Sequence, residues 1–572
     1  MARGAVVMLA SLLAVGCRPR QVVVIGHGAD SFDAGMVAPT QNPQVAQYTI
    51  RPHSAATVTV EFGRTAAYGK RTWTVPAQAN QAVKILVAGM RGDTRYHMRA
   101  EVQFADGTTV DDRDHVFGTG HYSAGMIPPI KVKTEGQPQT GVELLNPTIG
   151  HYYQAIVTDL QGHVLWAYNY SGRQSSQVVQ IHRDERAAYL TLAGWWHGVT
   201  HLVGGKEKGR LWDASLWKTL PPEDRFSTII NPIKPMPNGD FVMLIGLASH
   251  ALRFNPGGTP PPGTTVLLQE VDLTGRTVRQ LTMPELNRRL RAHGYKGPTL
   301  EMVHHDVTQL PNGHLIVIAN GTKVFENLPG YPGKTRVIGD VLVDLNKNFE
   351  PVWTWNEFAH LSVLRHPKDF PDWTHTNAVL YTKDDGNLLV SMRTQDWVIK
   401  IDFDNGHGSG KVLWRLGPGG DFRLVGGTAP EDWNYGQHEP AVFGDRDAGV
   451  FELGMMDNGY GRILADGKEC GTKGAGPCYT TAPIFRVDAK ARTATVVFRK
   501  VFPPKLYSSW GGGVQPLANG DIGIDLCNVG RDSDIYEMTM GKNPRTVWQM
   551  HVANTNVYRA ERMGSMYPGV TW

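Results

Sequence analysis

The sequence predicts an all-β protein, a six-bladed β-propeller preceded by a small β-sandwich, on three observations. The 572 residues include 64 Gly and 36 Pro beside 15 Trp, 19 Tyr and 18 Phe, a composition of many turns joining short aromatic-rich strands. From about residue 137 onward, a turn signal followed by an apolar run recurs. A second unit alternates with it: an apolar-Asp strand end, a turn, and a strand often carrying Trp. An all-α fold is excluded. Apolar residues make up 41% and charged residues 19%, enough for a core and too little charge for disorder. The net charge of +4 comes from 57 basic and 53 acidic residues scattered singly, so no nucleic-acid partner is expected.

Residues 1–17 have the form of an export signal. A short apolar run, Ala5 to Val15, follows an early Arg3; it is too short to span a bilayer. The stretch Leu13-Ala-Val-Gly-Cys17 resembles a bacterial lipobox, which makes Cys17 a candidate for lipid modification; the plain alternative is a signal peptide that discards it. Residues 18–44 are expected to be a linker. Residues 45–118 alternate in short strands such as Ala56 to Phe62 and Val83 to Val87, and fit a fibronectin-III/Ig-like sandwich with Tyr96 as its corner tyrosine. Ser123 to Gly136 is expected to be a connection, and 119–572 to be the propeller.

The first repeated unit is clear at Pro237-Asn-Gly, Pro311-Asn-Gly, Asp385-Gly-Asn and Asn519-Gly-Asp. Degenerate copies begin at Arg183 and Asp445. The second unit is found at Val157-Thr-Asp, Glu270-Val-Asp, Val343-Asp, Lys400-Ile-Asp, Arg486-Val-Asp and Tyr536-Glu-Met. Two antiparallel hairpins per repeat make a four-stranded blade, and six copies of each make six blades. Inserts are expected around Trp195 to Ser227 and Leu281 to Glu301, the second holding a short helix near Pro284.

Cys470 and Cys478 flank a Gly-rich segment that can fold back on itself, and in an exported chain they are expected to form a disulfide. Two thiols without a nearby His or second Cys pair make a poor zinc site. Cys527, in a strand-like run, is expected to be a buried thiol.

Three of the hairpins carry His in one register. His305, His375 and His438 each stand five residues before an apolar residue that opens the turn: Leu310, Leu380 and Phe443. Propellers bring such strand starts together around an axis, so three imidazoles would converge. Arg393, at the end of the strand pairing with that of His375, would add a guanidinium. That set suits a tetrahedral oxyanion such as sulfate or phosphate. A lone His in a β-protein is ordinarily only a hydrogen-bonding residue; alignment of three argues otherwise. A three-His metal centre is the competing reading, but no carboxylate shares the register, so no metal is expected. His304 would point to the opposite face of its strand and be structural. Gly511 to Gly513 would line the channel where backbones approach closely.

Several segments together resemble the bacterial arylsulfate sulfotransferase family: Val303-His-His-Asp-Val, Asp372-Trp-Thr-His-Thr-Asn, Ser391-Met-Arg-Thr-Gln-Asp, Tyr435-Gly-Gln-His-Glu-Pro and Met456-Asp-Asn-Gly-Tyr-Gly-Arg. The resemblance covers most of residues 140 to 572. It implies an exported six-bladed propeller of the cell envelope or periplasm, often a homodimer, that moves a sulfuryl group from a phenolic sulfate ester to a phenol. Neither a nucleotide sulfate donor nor any cofactor is implied. Carried over by motif, His438 would be the nucleophile that becomes sulfated. His305, His375 and Arg393 would line the sulfate and phenol site, and Asn377 would hydrogen-bond there. Membrane contact would come only through a lipid anchor at Cys17. The rival readings are a noncatalytic envelope scaffold, indifferent to loss of His438, and a His-metal-dependent lyase or hydrolase, which elemental analysis would expose.

Overall fold

The structure, a computed structural model, describes residues 31–148, 152–168, 187–188, 200–203, 206–210, 227–229, 233–248, 264–447 and 449–572. The expected leader with Cys17, the start of the repeat copy at Arg183 and most of the insert Trp195 to Ser227 lie outside the described residues. Nearly all described elements are β-strands.

Two antiparallel sheets form the N-terminal part. Phe32–Pro39, Ala46–Pro52 and Val83–Val87 make one; Ala56–Gly63, Arg95–Phe104 and four shorter strands make the other. Period-2 alternation turns Val58, Val60, Phe62, Met98, Ala100 and Val102 inward against Tyr48, Ile50, Ile85 and Val87. The Tyr96 hydroxyl accepts the Arg91 N–H at 2.9 Å, the lock that a sandwich corner needs. The strand Phe32–Pro39 lies within the stretch expected to be a linker. Its pairing slips between Asp33 and Met36, and that bulge hides the alternation that would have marked it.

Six larger sheets follow. The first comprises Val557–Met563, Val142–Pro147, Ala155–Asp159 and Val164–Tyr168. The second is built on Phe241–Ala248, Thr264–Val271 and Thr277–Thr282, with Ser227–Ile229 and Lys234–Pro235 along its edge. Leu300–Gln309, Leu315–Leu328, Tyr331–Leu345 and Pro351–Asn356 make the third. Thr376–Thr382, Asn387–Met392, Trp397–Ile401 and Val412–Leu416 make the fourth. The fifth runs His438–Asp447, Val450–Met456, Thr481–Asp488, Thr493–Val501. The sixth runs Gly513–Pro516, Ile522–Val529, Asp532–Met538, Thr546–Val552.

Each sheet packs on the next, and the sixth returns to the first. Trp166 of the first stacks on Phe241 of the second with centroids 4.8 Å apart. Shared cores then pair Leu244 with Val317, Ile318 with Leu388, Leu389 with Leu453, Ile484 with Ile524, and Trp548 with Ile156. The chain's last strand closes the order by lying beside Val142–Pro147. Its Arg562 pairs there with Glu143 at 2.7 Å and Glu537 at 2.9 Å, all three buried.

Two expectations change here. Ile130–Thr134, expected to be a connection, pairs with Thr546–Val552 as the outer edge of the sixth sheet. Ala187–Ala188, inside the repeat copy read at Arg183, instead joins a separate three-stranded sheet with Thr200–Val203 and Lys206–Arg210. The first sheet needs no such copy, because the C-terminal strand completes it.

The turn signals do what their residues dictate. At the turn closed by Leu310 N–H to the His314 carbonyl, Gly313 takes φ +82°, a left-handed conformation that Gly adopts without steric cost. The helix Met283–Ala292 starts where the Thr282 side chain accepts the Glu285 N–H. It buries Met283, Leu286 and Leu290.

Candidate active site

The first strands of the third and fifth sheets carry His305 and His438, and His375 immediately precedes that of the fourth; all three come to one place. The pairing slips at the same point in all three, at His304/Val307, Thr376/Ala378 and His438/Ala441. Beside each bulge a non-glycine residue sits at positive φ: His305 at +60°, His375 at +46° and Glu439 at +36°. Such outliers cost about 1–3 kcal/mol each and cluster at functional sites. The first strands also bond across sheets: the Val379 N–H donates to Asp306 Oδ2 at 3.0 Å and Asn377 Nδ2 to the Gln437 carbonyl at 2.7 Å.

The imidazoles are buried and close. The His305 and His375 rings lie 4.7 Å apart. Tyr558, from the closing strand, bridges to the third imidazole, its ring 6.0 Å from His305 and 5.9 Å from His438. Its hydroxyl is buried without a hydrogen-bond partner. Arg393 opens the 3-10 turn after Asn387–Met392, and its backbone N–H donates to the His375 carbonyl at 3.1 Å. Its guanidinium lies over the Tyr460 ring at 4.7 Å and donates to the Ser509 carbonyl at 3.4 Å.

The tautomer of His438 follows from its neighbour. Asn458 Nδ2 donates to the carbonyls of Ser508 at 2.8 Å and Gly511 at 3.0 Å, which fixes the amide orientation. Asn458 Oδ1 is therefore an acceptor, 2.7 Å from His438 Nδ1, so the ring carries its hydrogen on Nδ1. Nε2 keeps a lone pair, and the Gly511 N–H points at it from 3.3 Å. Gly511 must be glycine: at φ +65° an added Cβ would stand 2.6 Å from Cys527 Sγ. The close approach expected for this glycine run is present.

Burial is the first cause holding the pKa of His438 well below the ordinary imidazole value. The Arg393 charge adds to it, and the Asn458 hydrogen bond works against it. For His305, burial comes first and the other imidazoles and Arg393 follow. Both rings are neutral at pH 7. A neutral imidazole with an unprotonated ring nitrogen is a nucleophile or a base.

The sequence-chosen residues His305, His375, His438 and Arg393 do come together. Asn377 is buried beside them, with its amide donor on the Gln437 carbonyl, so it ties the His375 strand to the residue before His438. His304 departs from expectation. The bulge breaks the period-2 rule, and His304 Nδ1 lies 2.6 Å from His305 Nδ1 with the rings edge to face. Asp340, Asp372, Asn458 and Tyr558 were not singled out from sequence. Asp372, three before His375, places Oδ2 2.6 Å from His375 Nδ1. Asn458 lies within a motif that carried the resemblance, and only that proximity could have flagged it. Cys470 and Cys478 are disulfide-bonded, and Cys527 is a buried thiol.

A family model described as Arylsulfotransferase (ASST) matches residues 132–559. No curated protein matches the chain. Among solved structures, a candidate 6-phosphogluconolactonase from Bacteroides fragilis is 11% identical, with 89% of this chain and 98% of that one covered and a TM-score of 0.31. Cobalt-substituted apocarotenoid oxygenase from Synechocystis is 12% identical over 93% and 95%, with a TM-score of 0.29. A rhamnogalacturonan lyase from Bacillus licheniformis is 11% identical over 95% and 92%, with a TM-score of 0.27. With the family match spanning most of the chain and the imidazole–guanidinium cluster lying inside it, the chain belongs to the arylsulfotransferase family, enzymes that transfer sulfuryl groups.

Proposed function

We propose that the chain is an arylsulfotransferase working by double displacement through a sulfated His438, on a six-bladed propeller with an N-terminal sandwich. The observation that carries this reading is the His438 tautomer: Asn458 leaves Nε2 as a lone pair in a neutral ring beside Arg393. Attack of Nε2 on the sulfur of an aryl sulfate forms an N–S bond and breaks the S–O bond, releasing a phenolate. The hydrogen stays on Nδ1, donated to Asn458 Oδ1, and the ring becomes a cationic N-sulfo-imidazole. Arg393 stabilises charge on the sulfuryl oxygens. A phenolic acceptor then forms the new O–S bond, and the N–S pair returns to His438. A neighbouring imidazole deprotonates the incoming phenol and passes that proton to the phenolate that departs in the next turnover. Sulfate bound as an ester supplies the group, so no nucleotide donor is required.

The working place proposed is the cell envelope, with Cys17 as lipid anchor and a homodimer as the assembly. The Cys470–Cys478 disulfide supports an oxidising compartment.

Mixing the enzyme with an aryl sulfate and no acceptor should release about one equivalent of phenol per site, the burst of covalent catalysis, and peptide mapping should place a sulfo group on His438. His438→Ala should abolish the burst. A full burst in that variant, or the sulfo group on another residue, would refute the assignment.

A further inference from the structure

Behind His305 stands a hydrogen-bonded chain that leads away from the substrate. Asp340, on the third strand of the third sheet, places Oδ1 3.0 Å from His304 Nε2. Its Oδ2 accepts the Thr376 N–H at 2.6 Å and the Thr374 hydroxyl at 3.2 Å. A carboxylate takes all three as donors, so His304 carries its hydrogen on Nε2. The Nδ1 of a neutral His304 is then a lone pair, and His305 Nδ1, 2.6 Å away, is the donor to it. His305 is left with its own lone pair on Nε2. All these groups are buried, which is where such a chain orients its members most strongly.

From this juxtaposition, and resting on the double-displacement reading above, we infer that Asp340 and His304 are positioning residues that make His305 the base for the acceptor phenol. The proton balance is closed. As the phenol oxygen bonds to sulfur and the N–S bond to His438 breaks, the phenol proton moves to His305 Nε2. The Nδ1 hydrogen of His305 shifts to His304 Nδ1, and the positive charge comes to rest on His304 against the Asp340 carboxylate. The proton left on His304 by this half-reaction is the one returned, along the same path run backward, to the phenolate that departs in the next sulfation; from a relay that starts neutral the phenolate leaves unprotonated.

The surroundings agree. The groups facing His305 are His304, His375, His438, Arg393 and Tyr558; among them only the relay ends on a carboxylate through hydrogen bonds to His305. Facing Asp340 are Glu357, whose carboxylate end accepts the Asp340 N–H at 2.8 Å, and Asp372. Burial first, and Asp340 second, hold both of those acids above the usual carboxylate range. Asp372 Oδ2 stands 2.6 Å from His375 Nδ1, so His375 is held by a carboxyl group directly and not through a second imidazole.

The test is Asp340→Asn, whose amide can donate to His304 Nε2 and so reverse both tautomers. Enzyme first sulfated with donor and freed of its excess is mixed with phenols of graded acidity, and loss of the sulfo group is timed by rapid quench. With a weakly acidic phenol the variant should transfer about 10²- to 10⁴-fold more slowly than the parent, the usual range for a general base. With a phenol already ionised at the assay pH the deficit should shrink to about threefold or less, because no proton remains to be taken. His304→Gln should give the same dependence on acceptor acidity, and carries the test if Asp340→Asn does not fold. An equal slowing for every acceptor, or none, would overturn the relay. A parent that accumulates no sulfated enzyme would instead overturn the double-displacement reading; steady-state transfer to the same phenol series would then still decide the relay.

Discussion

Replacing Asn458 with Ala should separate what holds His438 in place from what makes it reactive. Asn458 is fully buried and makes three side-chain hydrogen bonds, to His438 Nδ1 and to the Ser508 and Gly511 carbonyls. Truncation leaves the imidazole N–H and the Gly511 carbonyl buried without partners, while the Ser508 carbonyl keeps the Thr480 hydroxyl at 3.2 Å. At about 1–1.5 kcal/mol each, the low end for orphaned groups, stability should fall by about 2–3 kcal/mol. The rate effect is smaller than loss of the nucleophile, because the Gly511 N–H still favours a lone pair on Nε2, though at 3.3 Å. Losing a tautomer preference of about 1.5–3 kcal/mol slows sulfation by about 10- to 100-fold. Stopped-flow release of a chromogenic phenol gives that rate, and a urea titration gives the stability. Asn458→Asp is the control: it keeps an acceptor for Nδ1 but removes both donors to the carbonyls. Its stability should fall while its burst rate stays within several-fold of the parent. Parental burst kinetics in Asn458→Ala, or an Asp variant as slow as the Ala variant, would refute the tautomer argument.

Two more outcomes follow from the electrostatics. Arg393→Lys keeps the charge but loses the planar fork and its seat on Tyr460. Sulfation and desulfation should both slow by about 10- to 100-fold without being abolished, and a loss confined to one half-reaction in rapid-quench data would contradict a shared sulfuryl site. Glu357→Gln tests the buried acid beside Asp340. Glu357 is held above its usual value of 4.5 by burial and by Asp340. Above about pH 4.5 the unfolded chain therefore releases a proton that the native state keeps, and the parent is destabilised progressively as pH rises toward the folded pKa. Gln has no such proton, so the variant should gain on the parent by about 1.4 kcal/mol per pH unit across that window. Denaturant titrations at pH 5, 6 and 7 showing a constant difference would mean that Glu357 is ionised in the native state.

Local chemistry was legible in the sequence and long-range pairing was not. Pro311-Asn-Gly announced a turn because a glycine there takes a conformation denied to most residues, and the run from Pro284 announced a short helix. Nothing local tells Val557–Met563 that its partner is Val142–Pro147, or Ile130–Thr134 that it belongs beside Thr546–Val552. The site divides in the same way. His305, His375 and His438 share a register that any repeat exposes. Their partners Asn458, Asp340 and Tyr558 come from other strands of the repeats or from the closing strand, and no spacing relates them. His304 was misplaced for a definite reason: alternation predicts opposite faces for neighbours only while the ladder is regular, and the slip between His304 and Val307 cancels it.

That slip also explains why this fold can hold such a site. Three consecutive first strands carry a bulge and a left-handed non-glycine residue where the imidazoles meet. At about 1–3 kcal/mol each, these three conformations would relax in an isolated hairpin. Here each strand is fixed on both sides. Its own sheet grips one edge, and the adjacent first strands grip the other through Asp306 to Val379 and Asn377 to Gln437. The closing strand completes the constraint, because Arg559 bonds Asp306 at 3.2 Å while Arg562 of the same strand is paired with Glu143. A ring that cannot open without breaking buried ion pairs can carry strain at its axis. The strained turns are what face the imidazoles toward one another, and the preorganisation of the transfer site is therefore a property of ring closure, not of any one sheet.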